Sequence, residues 1–461
     1  MKKTISAAFA VILAASTSVS ALEWQAVGPR ALGMGGTGVA TVQGPLSSYW
    51  NPAALGRATE NAYGLLIPVG MHAGVTGSVV EGAKDLQSLK GCTSNCNIAG
   101  ALSKFNHPGD GVRVDVNSGA NLKMGRLAIF ANGFGYMGAV PRVDMAHTTQ
   151  SDIDNNLNTS KLIVKGIRII ELGAGYGREL SAVPGVYLGG NLKLMNGQVG
   201  YADYLVLQHN DNTADINASL KNGAQTSSSF GVDAGALWDV TKTFDGAILH
   251  PRVGLVGRNL NSPKFQQPPT AVAAGAGGKF AVKPQARLGL SLTPFHWWNL
   301  AADLDVTRNQ TPVDNVASRQ LGVGTEINIF NRSWINIPLR AGLSRNLAES
   351  GSGTMLSAGA GLNFLHIILD FSGSVSPKTI DTQSQGKTAK IPREVAAAFQ
   401  LSILFGGSED ARRESSSKPT MDESPAAPPA PPAAAVEQVK QNADNAQKAL
   451  DAEAAKPAVG K

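Results

Sequence analysis

Apolar and polar residues alternate one for one through most of the chain between about Ala62 and Phe405. A period of two is the mark of extended strands with two unlike faces. In the last such segment Val395, Ala397, Phe399, Leu401, Ile403 and Phe405 share one face, opposite Glu394, Ala396, Ala398, Gln400 and Ser402. Gln320 to Ile329 sets Leu321, Val323, Ile327 and Ile329 against Gln320, Gly322, Gly324, Glu326 and Asn328. The same alternation predicts strands at approximately 60–73, 112–123, 126–137, 162–178, 185–201, 226–239, 250–259, 284–293, 297–307, 319–330, 335–345, 354–364, 366–376 and 393–405. Connections after even-numbered strands are short, as at Gly125, Ser181 to Pro184, Pro294 to His296, Arg332 to Trp334 and Leu365, with the ten residues Val240 to Leu249 as an exception. Those after odd-numbered strands are mostly long and polar, as at Gly74 to Gly111 and Pro377 to Pro392. A soluble sandwich also alternates, but it has no reason to keep that parity. Short periplasmic turns opposite long outer loops belong to an all-β fold, a transmembrane outer-membrane barrel of about fourteen antiparallel strands.

Composition agrees. Charged residues make up 16% of the chain and Gly 52 of its 461 residues, while the mean hydropathy is only −0.05. Those values suit a wall in which alternate residues meet lipid, and no stretch of 18 apolar residues offers a helical span. Trp238, Trp297, Trp298 and Trp334, with Phe330, Phe364 and Phe405, fall at strand ends assigned to the periplasmic rim. Aromatic rings gather at such an interface because one edge stays wet. The net charge of +6 is spread without a basic run, so nucleic acid is not expected as a partner.

Both ends depart from the strand pattern. Lys2 and Lys3, the apolar run Ile5 to Ala15, and the small residues Val19-Ser20-Ala21 read as a signal peptide over 1–21. The exported chain then begins near Leu22. Residues 22–57 are broken throughout by Gly and Pro and cannot form lipid-facing strands. They are expected to sit inside the barrel as a plug or to hang below it. Gly33, Gly35 and Gly38 share the spacing of a dinucleotide fingerprint, but no βαβ unit surrounds them, and no cofactor is expected. After the barrel domain, 58–405, residues 406–461 form a Pro/Ala-rich tail that strand parity places in the periplasm. Val436, Val439, Ala443, Ala446 and Leu450 give it a short helical seam. Cys92 and Cys96, the only cysteines, lie in the first long outer loop. In an exported chain they are expected to form a disulfide, with a redox role as the alternative.

The faces opposite the apolar rows carry charge. Arg113, Asp115, Lys123, Asp233, Arg252, Arg258, Arg287, Asp303, Asp305, Glu326, Arg340 and Asp370 should point inward, as a solvated lumen lining of mutually paired groups. Asp303 and Asp305 share one face as paired carboxylates would for acid–base work, yet no His or Ser partner accompanies them in a motif. No pair of residues shows metal-ligand spacing. Neither an enzyme nor a metal site is expected.

The stretch Arg30-Ala31-Leu32-Gly33-Met34-Gly35-Gly36, followed by Tyr49-Trp50-Asn51-Pro52-Ala53-Ala54-Leu55, resembles the start of mature proteins in the FadL family of outer-membrane transporters. The resemblance implies a fourteen-stranded barrel plugged by an N-terminal hatch, with Asn51, Pro52 and Ala53 as its gating triplet near the periplasmic mouth. Pro284 to Leu290, Leu339 to Leu343, and Asp370 within its strand are similar to PorV-type barrels and to TraF-type proteins of plasmid transfer. Two departures from a fatty-acid transporter stand out. The inward rows are charged, with no compact apolar inward cluster to hold an acyl chain, and a long tail follows the last strand. Two functions therefore remain open. One is transport of hydrophobic small molecules across the outer membrane. The other is a structural or docking barrel of a conjugation or secretion machine, meeting envelope partners through its tail. Outer-membrane lipid is a partner in either case.

Overall fold

The computed structural model describes residues 21–57, 63–89, 96–207, 220, 223–244, 246–332, 334–349, 353–384 and 387–405. The expected leader before residue 21 and the expected tail at 406–461 lie outside the described residues. So does Cys92; Cys96 is disulfide-bonded.

Fourteen strands close into one barrel. They are β1 (Tyr63–Thr76), β2 (Gly111–Met124), β3 (Leu127–Arg142), β4 (Lys161–Glu179), β5 (Val186–Leu205), β6 (Gln225–Asp239) and β7 (Arg252–Arg258). The second half comprises β8 (Gln285–Phe295), β9 (Trp298–Asp305), β10 (Gln320–Asn331), β11 (Ile335–Asn346), β12 (Thr354–Phe364), β13 (Ile367–Val375) and β14 (Glu394–Phe405). Each strand pairs antiparallel with its neighbours in sequence, and β14 closes onto β1 from Tyr63↔Phe405 to Gly74↔Glu394. Closure leaves no edge with unpaired backbone groups, which hydrocarbon could not satisfy. Each expected strand overlaps one of these, with ends displaced by a few residues. β3 and β5 run several residues further toward the long loops than alternation alone predicts. β7 is shorter than expected because positive φ angles at Leu249, His250 and Asn259 end its extended backbone on both sides.

Loop parity holds with one exception. The turns 125–126, 180–185, 296–297, 332–334 and 365–366 gather at one end with the longer connection 240–251, and the remaining connections lie at the other end. Gly125 takes φ +59 in the two-residue turn 125–126, a hairpin that demands left-handed backbone. The long loops are not featureless. Helices Val79–Ser88 and Ile98–Ser103 fold over one side, and hairpins Lys264–Gln266/Lys279–Ala281 and Thr379–Ser384/Lys387–Pro392 rise elsewhere.

The two faces of the wall differ as the alternation requires. Leu192, Leu194, Phe230 and Phe371 stand 62–70% exposed on the outside, the surface of a barrel made to sit in lipid. Trp238, Trp297, Trp298 and Trp334 all lie at the short-turn end. There the rings of Phe295, Trp297 and Trp298 stack nearly parallel, 5.3–6.2 Å apart. On the inner side, residues of the segment before the barrel pack against the wall.

Candidate functional site

Residues 22–57 run through the lumen from the loop end to the short-turn end. Ala21 and Leu22 pair in parallel with Asn309 and Gln310 in the loop after β9. From there the chain descends through helix Pro29–Gly33, the 3-10 turn Gly44–Leu46, helix Ser47–Trp50 and the 3-10 helix Pro52–Arg57. Pro at the first helical turn and Gly in the reversals explain why this stretch breaks so often. Met34, Val39, Ala53 and Leu55 are fully buried, and Trp24 and Trp50 nearly so.

Glycines on both sides let the two backbones touch. A Cβ on Gly324 would stand 2.2 Å from the Met34 carbonyl oxygen, and one on Gly342 would stand 2.2 Å from the Gly35 nitrogen. At the other end a Cβ on Gly189 would stand 2.3 Å from the Pro52 carbonyl oxygen. The spacing of Gly33, Gly35 and Gly38 thereby acquires a cause other than a pyrophosphate. Gly33 and Gly35 pack on the backbones of β10, β11 and β12, and Gly35 adopts φ +71. Gly38 lies against the Trp50 indole, where a Cβ would fall 2.2 Å from the ring.

Asn51 uses its whole amide. Its Nδ2 donates to the Val39 carbonyl (3.1 Å) and to the Ala236 carbonyl of β6 (3.0 Å), while Oδ1 accepts from the Ala53 amide (3.1 Å). The extended backbone of Asn51 is the conformation that the following Pro52 favours. The triplet Asn51-Pro52-Ala53 thus ties the plug to itself and to the wall near the short turns. Ser48 adds a backbone carbonyl that accepts from Asn191 of β5 at 2.7 Å.

The predicted inward charges Arg113, Asp115, Asp233, Arg287, Asp303, Asp305, Glu326, Arg340 and Asp370 do face inward, each below 10% exposure. All but Asp303 stand in ion pairs, and Arg113, Asp115, Arg287 and Asp303 line a cavity beside the plug. Several reach the plug directly. Arg30 donates through Nε and Nη2 to both oxygens of Glu326, at 2.9 and 2.8 Å. Glu326 also accepts from Arg340, which reaches on to Asp370, both at 2.6 Å. Asp303 accepts from the Gly38 and Val39 amides, at 2.8 and 2.9 Å. Arg287 pairs with Asp305 at 2.6 Å and donates to the Gly36 carbonyl at 3.3 Å. Arg113 bridges Glu23 of the plug and Glu394 of β14. Asp233 meets Lys193 at 3.1 Å within the wall. Asp303 and Asp305 therefore hold backbone and arginine, not a reacting group.

The structure also corrects the expectation that no compact apolar inward cluster exists. Phe134 and Tyr136 of β3, Ile167 and Ile169 of β4, Met195 and Val199 of β5 and Val256 of β7 form one buried cluster with Trp24, Tyr49 and Trp50 of the plug. Bulky residues alternating with glycine on β3 hid this face among outward apolar ones. The guanidinium of Arg258 lies 4.2 Å over the Tyr49 ring and 5.3 Å over Trp24, so the plug's aromatics cover both the apolar and the cationic parts of the wall. Among the described residues no three His, Cys, Asp or Glu side chains could hold a metal ion.

Among solved structures the chain is similar to the P. putida toluene transporter TodX, at 14% identity and a TM-score of 0.46, over 84% of this chain and 100% of that one. The Ralstonia pickettii toluene transporter TbuX matches at 16% identity and a TM-score of 0.45, over 82% and 98%. A Pseudomonas aeruginosa FadL homologue matches at 12% identity and a TM-score of 0.42, over 82% and 98%. No curated protein matches the sequence. The model of the family described as "F plasmid transfer operon, TraF, protein" matches residues 48–305, from the plug helix that precedes Asn51 to the end of β9. That match spans more than half of the 461 residues, and the chain belongs to this TraF family.

Proposed function

We propose that the protein is a transporter barrel of the bacterial outer membrane, held shut by its own residues 22–57, which admits small hydrophobic molecules when that segment shifts. The observation that carries this reading is the buried apolar cluster on β3, β4, β5 and β7, whose lumen side meets the plug. An inert spacer needs only a filled lumen. Here a continuous apolar face inside a membrane barrel offers a route for an apolar solute, covered by a segment tied down through separable polar contacts. Asn51, Pro52 and Ala53 act as the hinge of that cover, because Asn51 joins it to β6. The toluene transporters named above share this barrel architecture, and a monoaromatic hydrocarbon is the first solute to try.

The test compares the intact chain with one lacking residues 22–57 and keeping its leader, in planar bilayers and in liposome uptake of toluene. The intact protein is expected to conduct poorly and the deletion to conduct like an open pore, with toluene entry above that of empty liposomes. Porin-like conductance of the intact chain, unchanged by the deletion, would defeat the closed-barrel reading. A second reading follows from the words "plasmid transfer" in the description of the matched family: a barrel that serves a conjugation machine. It predicts lower mating frequency in a deletion strain with unaltered toluene uptake.

A further inference from the structure

A polar patch interrupts the apolar outer wall on three neighbouring strands. The outward row of β4 runs Tyr176, Ala174, Leu172 and Ile170 before it reaches Arg168, which is exposed as they are. On β5 Leu192 and Leu194 give way to Asn196 and Gln198, and on β6 Phe230 gives way to Ser228 and Thr226. Strand register sets these side chains next to one another. Arg168 pairs with Gln198 and Gln198 with Thr226, and in the adjoining row Asn196 lies between Ile170 and Ser228. Asn196 Nδ2 donates to Ser228 Oγ at 3.4 Å. Glycines flank the arginine on the same outward rows. Gly135 of β3 is its register partner, and Gly166 and Gly200, paired with each other, stand on its loop side. These positions carry no side chain to shield the guanidinium. Among the described residues no ion pair or hydrogen bond engages it.

The height of the patch follows from the strand. Ser228 lies ten residues along β6 from Trp238 at the short-turn end. At roughly 3.3 Å per residue and a tilt of about 40°, that is on the order of 25 Å along the membrane normal. The apolar band of an outer-membrane barrel is about as tall, so the patch meets the outer edge of the band, on the long-loop side. Ten residues along β14 from its end at Phe405 the outward residue is instead Val395, 41% exposed. The patch is therefore local to β4, β5 and β6. A charge on the lipid face is least costly at the interface, where an anionic headgroup can pair with it. A guanidinium grips phosphate oxygens through two parallel donors. The amides and hydroxyls of Asn196, Gln198, Thr226 and Ser228 both donate and accept, which complements the hydroxyls of a sugar.

We propose that this patch binds the phosphorylated amino-sugar headgroup of the outer-leaflet glycolipid, with Arg168 on a phosphate and the neighbouring amides and hydroxyls on the sugar. The site lies on the lipid face, so it is independent of the plug and of any solute that passes through the lumen. The test incubates the purified full chain in detergent with diphosphoryl lipid A and counts bound lipid by native mass spectrometry. One lipid A per barrel is expected to be retained. Arg168→Gln should weaken that binding about tenfold while the heat-dependent gel mobility of the folded barrel persists. Arg168→Lys, which keeps the charge but not the paired donors, should lose less. Arg345→Gln, at an exposed outward arginine of β11, should bind like the unaltered chain. Phosphatidylglycerol, which offers a phosphate without the sugar, should bind more weakly than lipid A. No retained lipid A, equal affinity in Arg168→Gln, or equal retention of phosphatidylglycerol would each overturn the proposal. So would a dimer that Arg168→Gln dissolves, because the patch would then join two copies of the chain.

Discussion

If the plug is held by separable contacts, the bidentate pair between Arg30 and Glu326 should measurably set how often it leaves. Arg30 belongs to the plug and Glu326 to β10, so this pair breaks when the segment shifts, whereas Arg340–Glu326 and Arg340–Asp370 stay within the wall. Hydrogen bonds to charged groups contribute roughly 1.5–3 kcal/mol each when buried. Glu326 is buried, but the Arg30 side chain keeps 23% of its surface exposed. Water screens part of the attraction, and we take about 2 kcal/mol for the coupling of the two residues. At about 1.4 kcal/mol per tenfold, that corresponds to a roughly 30-fold change in the ratio of displaced to seated plug. Single mutants alone would mislead, because Glu326→Gln also disturbs Arg340. A double-mutant cycle of Arg30→Met and Glu326→Gln removes that contribution. The assay is the frequency of opening events in planar bilayers, with heat-dependent gel mobility as the check on barrel closure. Each single mutant should open more often, and the double mutant should open far less than the product of the two effects. A coupling near zero would show that this pair does not restrain the plug.

Other outcomes test the plug contact, the barrel and an outer loop. Gly324→Ala should raise leak conductance while preserving the heat-dependent mobility shift, since its Cβ would meet the Met34 carbonyl of the plug rather than the sheet. Gly133→Ala, where the nearest atom is 3.8 Å away, should leave both unchanged. The purified barrel in detergent should migrate faster unboiled than boiled, and a helical circular dichroism spectrum would contradict the fold. In the loop between β3 and β4, the His147 ring holds the Asp144 carboxyl well below the usual carboxylate range, helped by bonds from Thr159 and Ala146, and Asp144 in turn raises His147. The Asp144 contribution is present above its ordinary value of 3.8 and fades as pH falls through the lowered one. The His147 contribution is full below 6.5 and fades as pH rises through the raised value. Amide exchange over 144–159, corrected for intrinsic rates, should therefore be slowest near pH 5 and faster by pH 9; equal protection at both would remove the pair.

The strand count, the closing parity of turns and loops, and the inward placement of residues such as Asp303 and Arg340 were all legible in one dimension. A strand turns successive side chains to opposite faces, so local order alone decides which residues leave the lipid. The plug was legible by exclusion, because Gly and Pro at that frequency cannot satisfy their backbone in hydrocarbon. What each inward charge meets was not legible. Arg30 and Glu326 lie 296 positions apart, and Arg113 and Glu394 lie 281 apart; only closure of the barrel around the plug brings them together. The apolar face on β3, β4, β5 and β7 escaped the pattern because both faces of β3 carry large apolar residues there, such as Phe134 inward and Met137 outward. A two-residue period sorts polar from apolar and cannot sort inner apolar from outer. The role of the glycine track on β10 and β11 was not legible, since nothing in a strand's own sequence tells whether a backbone or open water lies opposite. That was decided by the path of residues 22–57 through the lumen, a contact made only after fourteen strands have closed around it.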